Sequence, residues 1–155
     1  YAAPSNTFKS LDEDWVHIAG GGNIMFRRLA KAIGRPDLLS DPRFATVTAR
    51  LANVDEIEAI VISWVKERRT ADVLATLDAA DVTCAKVATL RDVANDPQLR
   101  ARGKIVDIEH EGIGTIPMQG LTIGLSDTPL AILSGIPRVG AHTEEILQSW
   151  LGKRA

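Results

Sequence analysis

The chain has 155 residues, of which 45% are hydrophobic and 25% charged, the proportions of an ordinary globular domain and not of a collagen, a disordered tail or a membrane span. Its 18 Lys and Arg stand against 20 Asp and Glu, for a formal net charge of −2. With both signs spread along the sequence, no electrostatic footprint for nucleic acid or an anionic lipid surface is present. A chain of this size buries about 70% of the surface it exposes when unfolded, enough for one core without staples.

The single cysteine, Cys84, excludes an internal disulfide and lacks the paired spacing of a zinc site, so a reducing, cytoplasmic setting is expected. Residues 1–20 hold no basic segment leading into an apolar run, and the longest apolar stretch, residues 59–65, is broken by Ser63. Neither a signal peptide nor a transmembrane helix is expected. The sequence starts at Tyr1, directly at a predicted strand, as a piece cut from something longer would.

In chain order, residues 7–9 and 15–19 are short apolar and β-branched runs on either side of Asp12, Glu13 and Asp14, and predict two strands around a solvated turn. After Gly20-Gly21-Gly22-Asn23 the period becomes helical at Met25, Phe26, Leu29, Ala30 and Ile33, with Gly34 and Pro36 as stop signals. Asp41-Pro42 predicts an N-cap and a short helical turn. Asn53 and Glu56 have the spacing of a capping box. The helix they open carries the cleanest amphipathic stripe, Ile57, Ile60, Val61, Trp64 and Val65, and is expected to bury Trp64 in the core.

Residues 66–69 give that helix a basic end, where cations suit the dipole. Thr70 predicts the cap of a helix with Val73, Leu74 and Leu77 on one side, followed by an extended run over residues 82–87. Thr89 and Asp96-Pro97 predict two small helices, the second ended by Gly103. Beyond it the period is two. Val106 and Ile108 share one face, and Leu121, Ile123 and Leu125 alternate with polar or small residues, which predicts an antiparallel meander turning at Gly112-Ile113-Gly114 and Gly120. Residues 126–140 read as an extended arm. Thr143 predicts the cap of a last helix whose stripe, Ile146, Leu147, Trp150 and Leu151, needs a partner surface.

Few residues carry chemistry. Gly20-Gly21-Gly22-Asn23 lies between a strand and a helix, where backbone N–H groups can face an anion, yet it matches neither G-x-G-x-x-G nor a P-loop. A tight turn, with glycine supplying the φ values, is the favoured reading. His17, His110 and His142 share no ligand spacing, so no metal site is expected. Cys84 sits among Val82, Thr83, Ala85 and Val87, a setting for a buried, inert thiol. No Ser-His-Asp or paired-carboxylate constellation is legible.

Four motifs carry a resemblance that runs from the first strand to the last helix. They are Asp41-Pro42-Arg43-Phe44 followed by Arg50, Ala52-Asn53 and Asp55-Glu56; residues 80–87 around Cys84; Asp96-Pro97-Gln98-Leu99-Arg100-Ala101-Arg102-Gly103; and Gly140-Ala141-His142-Thr143-Glu144-Glu145-Ile146-Leu147. In their order the chain resembles the C-terminal part of a class III CoA-transferase, the CaiB/BaiF family. Two departures stand out: where the family commonly reads G-[IV]-P-C-G-P-V this chain has Asp81-Val82-Thr83-Cys84-Ala85-Lys86-Val87, and Ala141 replaces the usual glutamate before His-Thr.

The resemblance implies an α/β (α+β) small domain, helices on a small, largely antiparallel sheet over residues 1–126, and an arm and helix over 127–155 that pack on a large domain or a partner chain. It implies coenzyme A or acyl-CoA as substrate, no cofactor bound by this chain alone, and a homo-oligomer. The family's catalytic aspartate, which forms a mixed anhydride and then an aspartyl-CoA thioester, belongs to the large domain, so no catalytic residue carries over and this chain alone is expected to be inactive. Gly20, Gly21, Gly22, Asn23 and Cys84 are the substrate-side candidates. A non-catalytic binding or assembly module derived from the family is the alternative, and the transferase and racemase branches both stay open.

Overall fold

The computed structural model describes residues 2–152. Its contacts divide the chain into two compact units, Tyr1–Val87 and Ala88–Ala155. That division is one of compactness; the one expected after residue 126 is one of role, and it belongs with the function proposed below.

The first unit runs β1 (Ser5–Lys9), β2 (Trp15–Ala19), α1 (Asn23–Ala32), a 3-10 turn (Pro36–Leu39), α2 (Val47–Ala52), α3 (Val54–Lys66), α4 (Thr70–Ala79) and β3 (Cys84–Lys86). Its sheet has the order β1-β2-β3 and is antiparallel throughout, with Phe8 opposite Val16 and Ile18 opposite Cys84. Period-two alternation turns Val16 and Ile18 inward and His17 outward. The helices cover that apolar face with Phe26, Leu29 and Ala30 from α1, Ile57, Val61 and Val65 from α3, and Val73 and Leu77 from α4. This is the expected α+β class, helices on a small antiparallel sheet.

Several local expectations are corrected. Gly34, at φ +74°, ends α1 as expected, but Pro36 then opens a 3-10 turn that buries Leu38. Asp41, by contrast, caps a single turn as expected, its Oδ1 accepting from the Arg43 N–H at 2.9 Å and its carbonyl from the Phe44 N–H at 2.9 Å, and the turn does not lengthen into a helix; Thr46 caps the next helix by accepting from Ala49 N–H at 3.1 Å. The capping box at Asn53 does not form, because the Asn53 amide donates backward, to the Ala49 carbonyl at 2.9 Å. Residue 53 is the joint between α2 and α3, and its side chain serves the end of the first. The α3 stripe is also narrower than expected. Ile57, Val61 and Val65 are buried, while Ile60 and Trp64 are half-buried, the Trp64 ring lying under the Arg68 guanidinium at 4.7 Å.

Thr70 is not the cap of α4 but its first residue. The cap comes from the acidic turn between β1 and β2: Asp12 Oδ1 accepts from the Ser10 hydroxyl at 2.7 Å, the Thr70 N–H at 3.0 Å and the Thr70 hydroxyl at 2.8 Å. Asp12 therefore ties the hairpin to the helix instead of only facing solvent. These bonds, Ser10 first and then Thr70, hold its carboxyl down at about 2 from an ordinary 3.8. Because the folded value lies below the unfolded one, the tie is at full strength above pH 3.8 and is lost as pH falls toward 2. Urea midpoints measured across that window are expected to drop in the wild type and to drop less in Asp12→Asn; identical slopes would exclude the tie.

The second unit holds α5 (Leu90–Asn95), α6 (Pro97–Ala101), β4 (Ile105–His110), β5 (Gly114–Gln119) and α7 (Thr143–Leu151). Thr89 and Asp92 form a full capping box on α5, and Asp96 caps α6 by accepting from Leu99 N–H. Gly103, at φ +62°, ends α6, with Lys104 N–H bonding back to the Leu99 carbonyl. β4 and β5 pair as an antiparallel hairpin, Val106 opposite Met118 and Ile108 opposite Ile116.

The expected third strand over residues 121–125 does not form. Gly120 lies so close to the Gly103 carbonyl that a Cβ there would be 2.0 Å from its oxygen, and the Lys104 ammonium donates to the carbonyls of Leu121 and Thr122, drawing the chain off the ladder. Residues 126–140 run without regular structure as expected. The cap position of α7 is His142, not Thr143, and no side chain bonds there.

Candidate functional site

β2 leaves the core at Ala19, and the three glycines carry the chain into α1. None of them has a positive φ, which corrects the expectation that glycine supplies unusual dihedrals here. Two are needed for close approach instead. A Cβ on Gly20 would stand 2.6 Å from Leu29 Cδ2, and one on Gly21 would stand 2.5 Å from the backbone carbon and oxygen of Ala2, whereas one on Gly22 would meet nothing within 4 Å. Gly21→Ala is therefore expected to cost about 1–3 kcal/mol through overpacking against backbone. Gly22→Ser, at the N-cap of α1, should cost nothing and add a cap. Chemical denaturation of the two variants checks the contrast.

Arg50 holds the turn in place. It is 1% exposed. Its Nε donates to the Ala3 carbonyl at 2.9 Å, Nη1 to the Phe44 carbonyl at 2.8 Å, and Nη2 to the Gly21 carbonyl at 2.8 Å and to Asn23 Oδ1 at 2.9 Å. The Phe26 ring lies against the guanidinium, 4.3 Å from its carbon. Burial pushes the guanidinium below its ordinary value, yet a group that starts so high remains charged at neutral pH. Of the predicted site residues, Gly21 and Asn23 are thus brought together by a residue not singled out as a site residue. Its signal is present all the same: Val47, Arg50, Leu51 and Val54 recur at helical spacing, so a cation stands on an apolar face.

Cys84 stands opposite Ile18 on β2, at the end of the sheet from which the glycine turn leaves. Among the described residues no hydrogen bond joins it to that turn. Its Sγ lies 3.6 Å from Asp78 Oδ1. Burial first, and then the Asp78 carboxylate, raise the thiol to about 11, so it is a neutral group and not a nucleophile. Among the described residues no cluster of His, Cys, Asp and Glu is placed to hold a metal ion, and no helix is long and apolar enough to cross a membrane.

The same arrangement of elements recurs in known proteins. Residues 1–143 match the family model of CoA-transferase family III, and the chain belongs to that family. It is 32% identical over 150 residues to a succinyl-CoA--D-citramalate CoA-transferase of Chloroflexus aurantiacus, covering 97% of this chain and 37% of the relative. It is 35% identical to the beta subunit of a succinyl-CoA--L-malate CoA-transferase of the same organism, covering 98% of this chain and 38% of the relative.

Among solved structures, a CaiB/BaiF family protein from Brucella suis superimposes with a TM-score of 0.76 at 32% identity, over 94% of this chain and 37% of that one. The Mycobacterium tuberculosis protein Rv3272, at 22% identity and a TM-score of 0.73, shares the fold. The chain spans somewhat over a third of the length of these relatives.

Proposed function

We propose that this chain works as the small-domain part of an acyl-CoA transferase, closing the acyl-CoA site and completing the assembly while a large domain supplies the catalytic aspartate. One observation supports this above the rest. Every fully buried apolar side chain among the described residues lies in the first unit, whereas Leu121, Ile123, Leu130, Ile132, Ile136 and Trp150 of the second are all exposed. A unit that leaves this much apolar surface in water is built to be covered.

In this reading the arm and helix over residues 127–155 sit on the large domain or on a second copy. The substrate side is the open face of the turn at Gly22 and Asn23, with Gly20 and Gly21 packed behind it and Cys84 at the same end of the sheet, opposite Ile18. Coenzyme A enters as substrate, in a cytoplasmic enzyme exchanging it between carboxylic acids, as the names of the relatives describe for them. The purified chain alone is then expected to exchange no coenzyme A between acyl-CoA donors and carboxylate acceptors, for want of a nucleophile. Fused behind the N-terminal part of the Chloroflexus succinyl-CoA--L-malate relative, it should restore exchange. Turnover by the chain alone would overturn the assignment, as would a folded, dimeric fusion that stays inactive.

A further inference from the structure

The hollow beside Arg50 shares Asn23 with the proposed substrate side and has no other part in that reading. It measures about 170 Å³ and is lined by Asn23, Phe26, Arg27, Leu39, Phe44 and Arg50, with Ala45 at its edge. At roughly 30 Å³ for each water's share of liquid volume, that is room for an ion of a few heavy atoms. Its charged lining is two arginines and no carboxylate. Elsewhere in the first unit Arg28 faces Asp81 at 3.9 Å, Arg35 meets Asp37 at 2.7 Å and Arg43 meets Asp41 at 2.7 Å.

Arg50 is answered only by neutral acceptors. A guanidinium has five N–H donors, and its four bonds to Ala3, Phe44, Gly21 and Asn23 leave one hydrogen on Nη1 without an acceptor among the described residues, in a side chain that is 1% exposed. Arg27, on the exposed side of the same hollow, makes no hydrogen bond or ion pair among the described residues. A buried cation without a counter-charge is costly, and two arginines lining one hollow suit a planar, two-oxygen anion.

We propose that this hollow binds a small carboxylate, held by the Arg27 fork and the remaining Arg50 N–H, with its short alkyl end toward Phe26, Leu39 and Phe44. The buried arginine supplies fixed charge, and the exposed one closes over the ligand. Of the glycine turn only Asn23 lines the hollow, and coenzyme A takes no part, so acetate binding by the full chain is read independently of any exchange activity.

The probe is acetate, added to the full chain at constant ionic strength with chloride as the balancing anion. Acetate is expected to move the Nε–H signals of Arg27 and Arg50 and the Asn23 side-chain amide saturably in nitrogen-correlated NMR spectra, and to raise the thermal midpoint. Arg27→Gln should fold normally and weaken acetate about tenfold, the effect of losing one charge-assisted contact. Arg27→Glu, which brings its own carboxylate, should lose the response altogether. Shifts that grow linearly without saturating, that chloride reproduces, or that persist undiminished in both variants overturn the site.

Discussion

Arg50→Ala is expected to lower the unfolding free energy of the first unit by about 3–5 kcal/mol, the upper range for breaking a buried hydrogen-bond network. The physical source is what remains behind. The carbonyls of Ala3, Gly21 and Phe44 and the Asn23 side-chain oxygen are each answered by this one guanidinium, and a buried acceptor left without a donor loses about 1–3 kcal/mol. Some of the four regain water as the site opens, which keeps the sum below the arithmetic total. Arg50→Lys preserves the charge but gathers its three donors on one nitrogen. It cannot span acceptors belonging to residues 3, 21, 23 and 44, so it should cost about 2–3 kcal/mol. Urea denaturation of both variants, with amide exchange read at residues 21–23, checks the ordering. A loss under about 1 kcal/mol for the alanine variant would show that the four acceptors find other partners.

Arg50 also marks where sequence reasoning reaches its limit. The elements legible beforehand were those whose signals are local. β1 and β2 alternate with period two across a short turn, α1 has an uninterrupted helical period with a stop glycine, and α5 and α6 carry their caps within their own first turns. The misread elements depend on a distant partner. Asp12 looks solvated until the chain brings Thr70, 58 residues away, onto its carboxylate. Asn53 has the right spacing for a capping box but sits against the end of α2, which claims its amide first. Leu121, Ile123 and Leu125 alternate as a strand would, yet the close approach of Gly120 to Gly103 and the Lys104 bonds decide that they leave the ladder. The three glycines do form a turn, but close approach and not φ requires them there, a tertiary property that no dihedral preference reveals. Family membership was legible because it rests on the order and spacing of many short motifs, which survives errors in any one element.

The largest effect on association is expected at α7. Trp150 is 81% exposed, and Ile146 and Leu151 beside it are exposed as well. The helix is folded with two glutamates in its first turn and a left-handed glycine, Gly152, at its end. It is therefore a formed helix with an uncovered apolar stripe and not a segment awaiting order. Burying each large side chain of such a stripe contributes about 1.5–3 kcal/mol, so in the absence of a large domain the chain is expected to pair with itself along α7. Trp150→Ser should then weaken self-association about 100-fold, the effect of removing an aromatic anchor from an interface centre. The urea midpoint of the first unit should stay unchanged, since its core holds no residue of α7. Sedimentation equilibrium of the wild type, of Trp150→Ser and of a chain ending at Gly140 decides the matter. Dimers that dissociate in both altered chains support the helix as the interface, whereas a wild-type monomer with strong amide protection along α7 would show that the stripe is covered within its own chain.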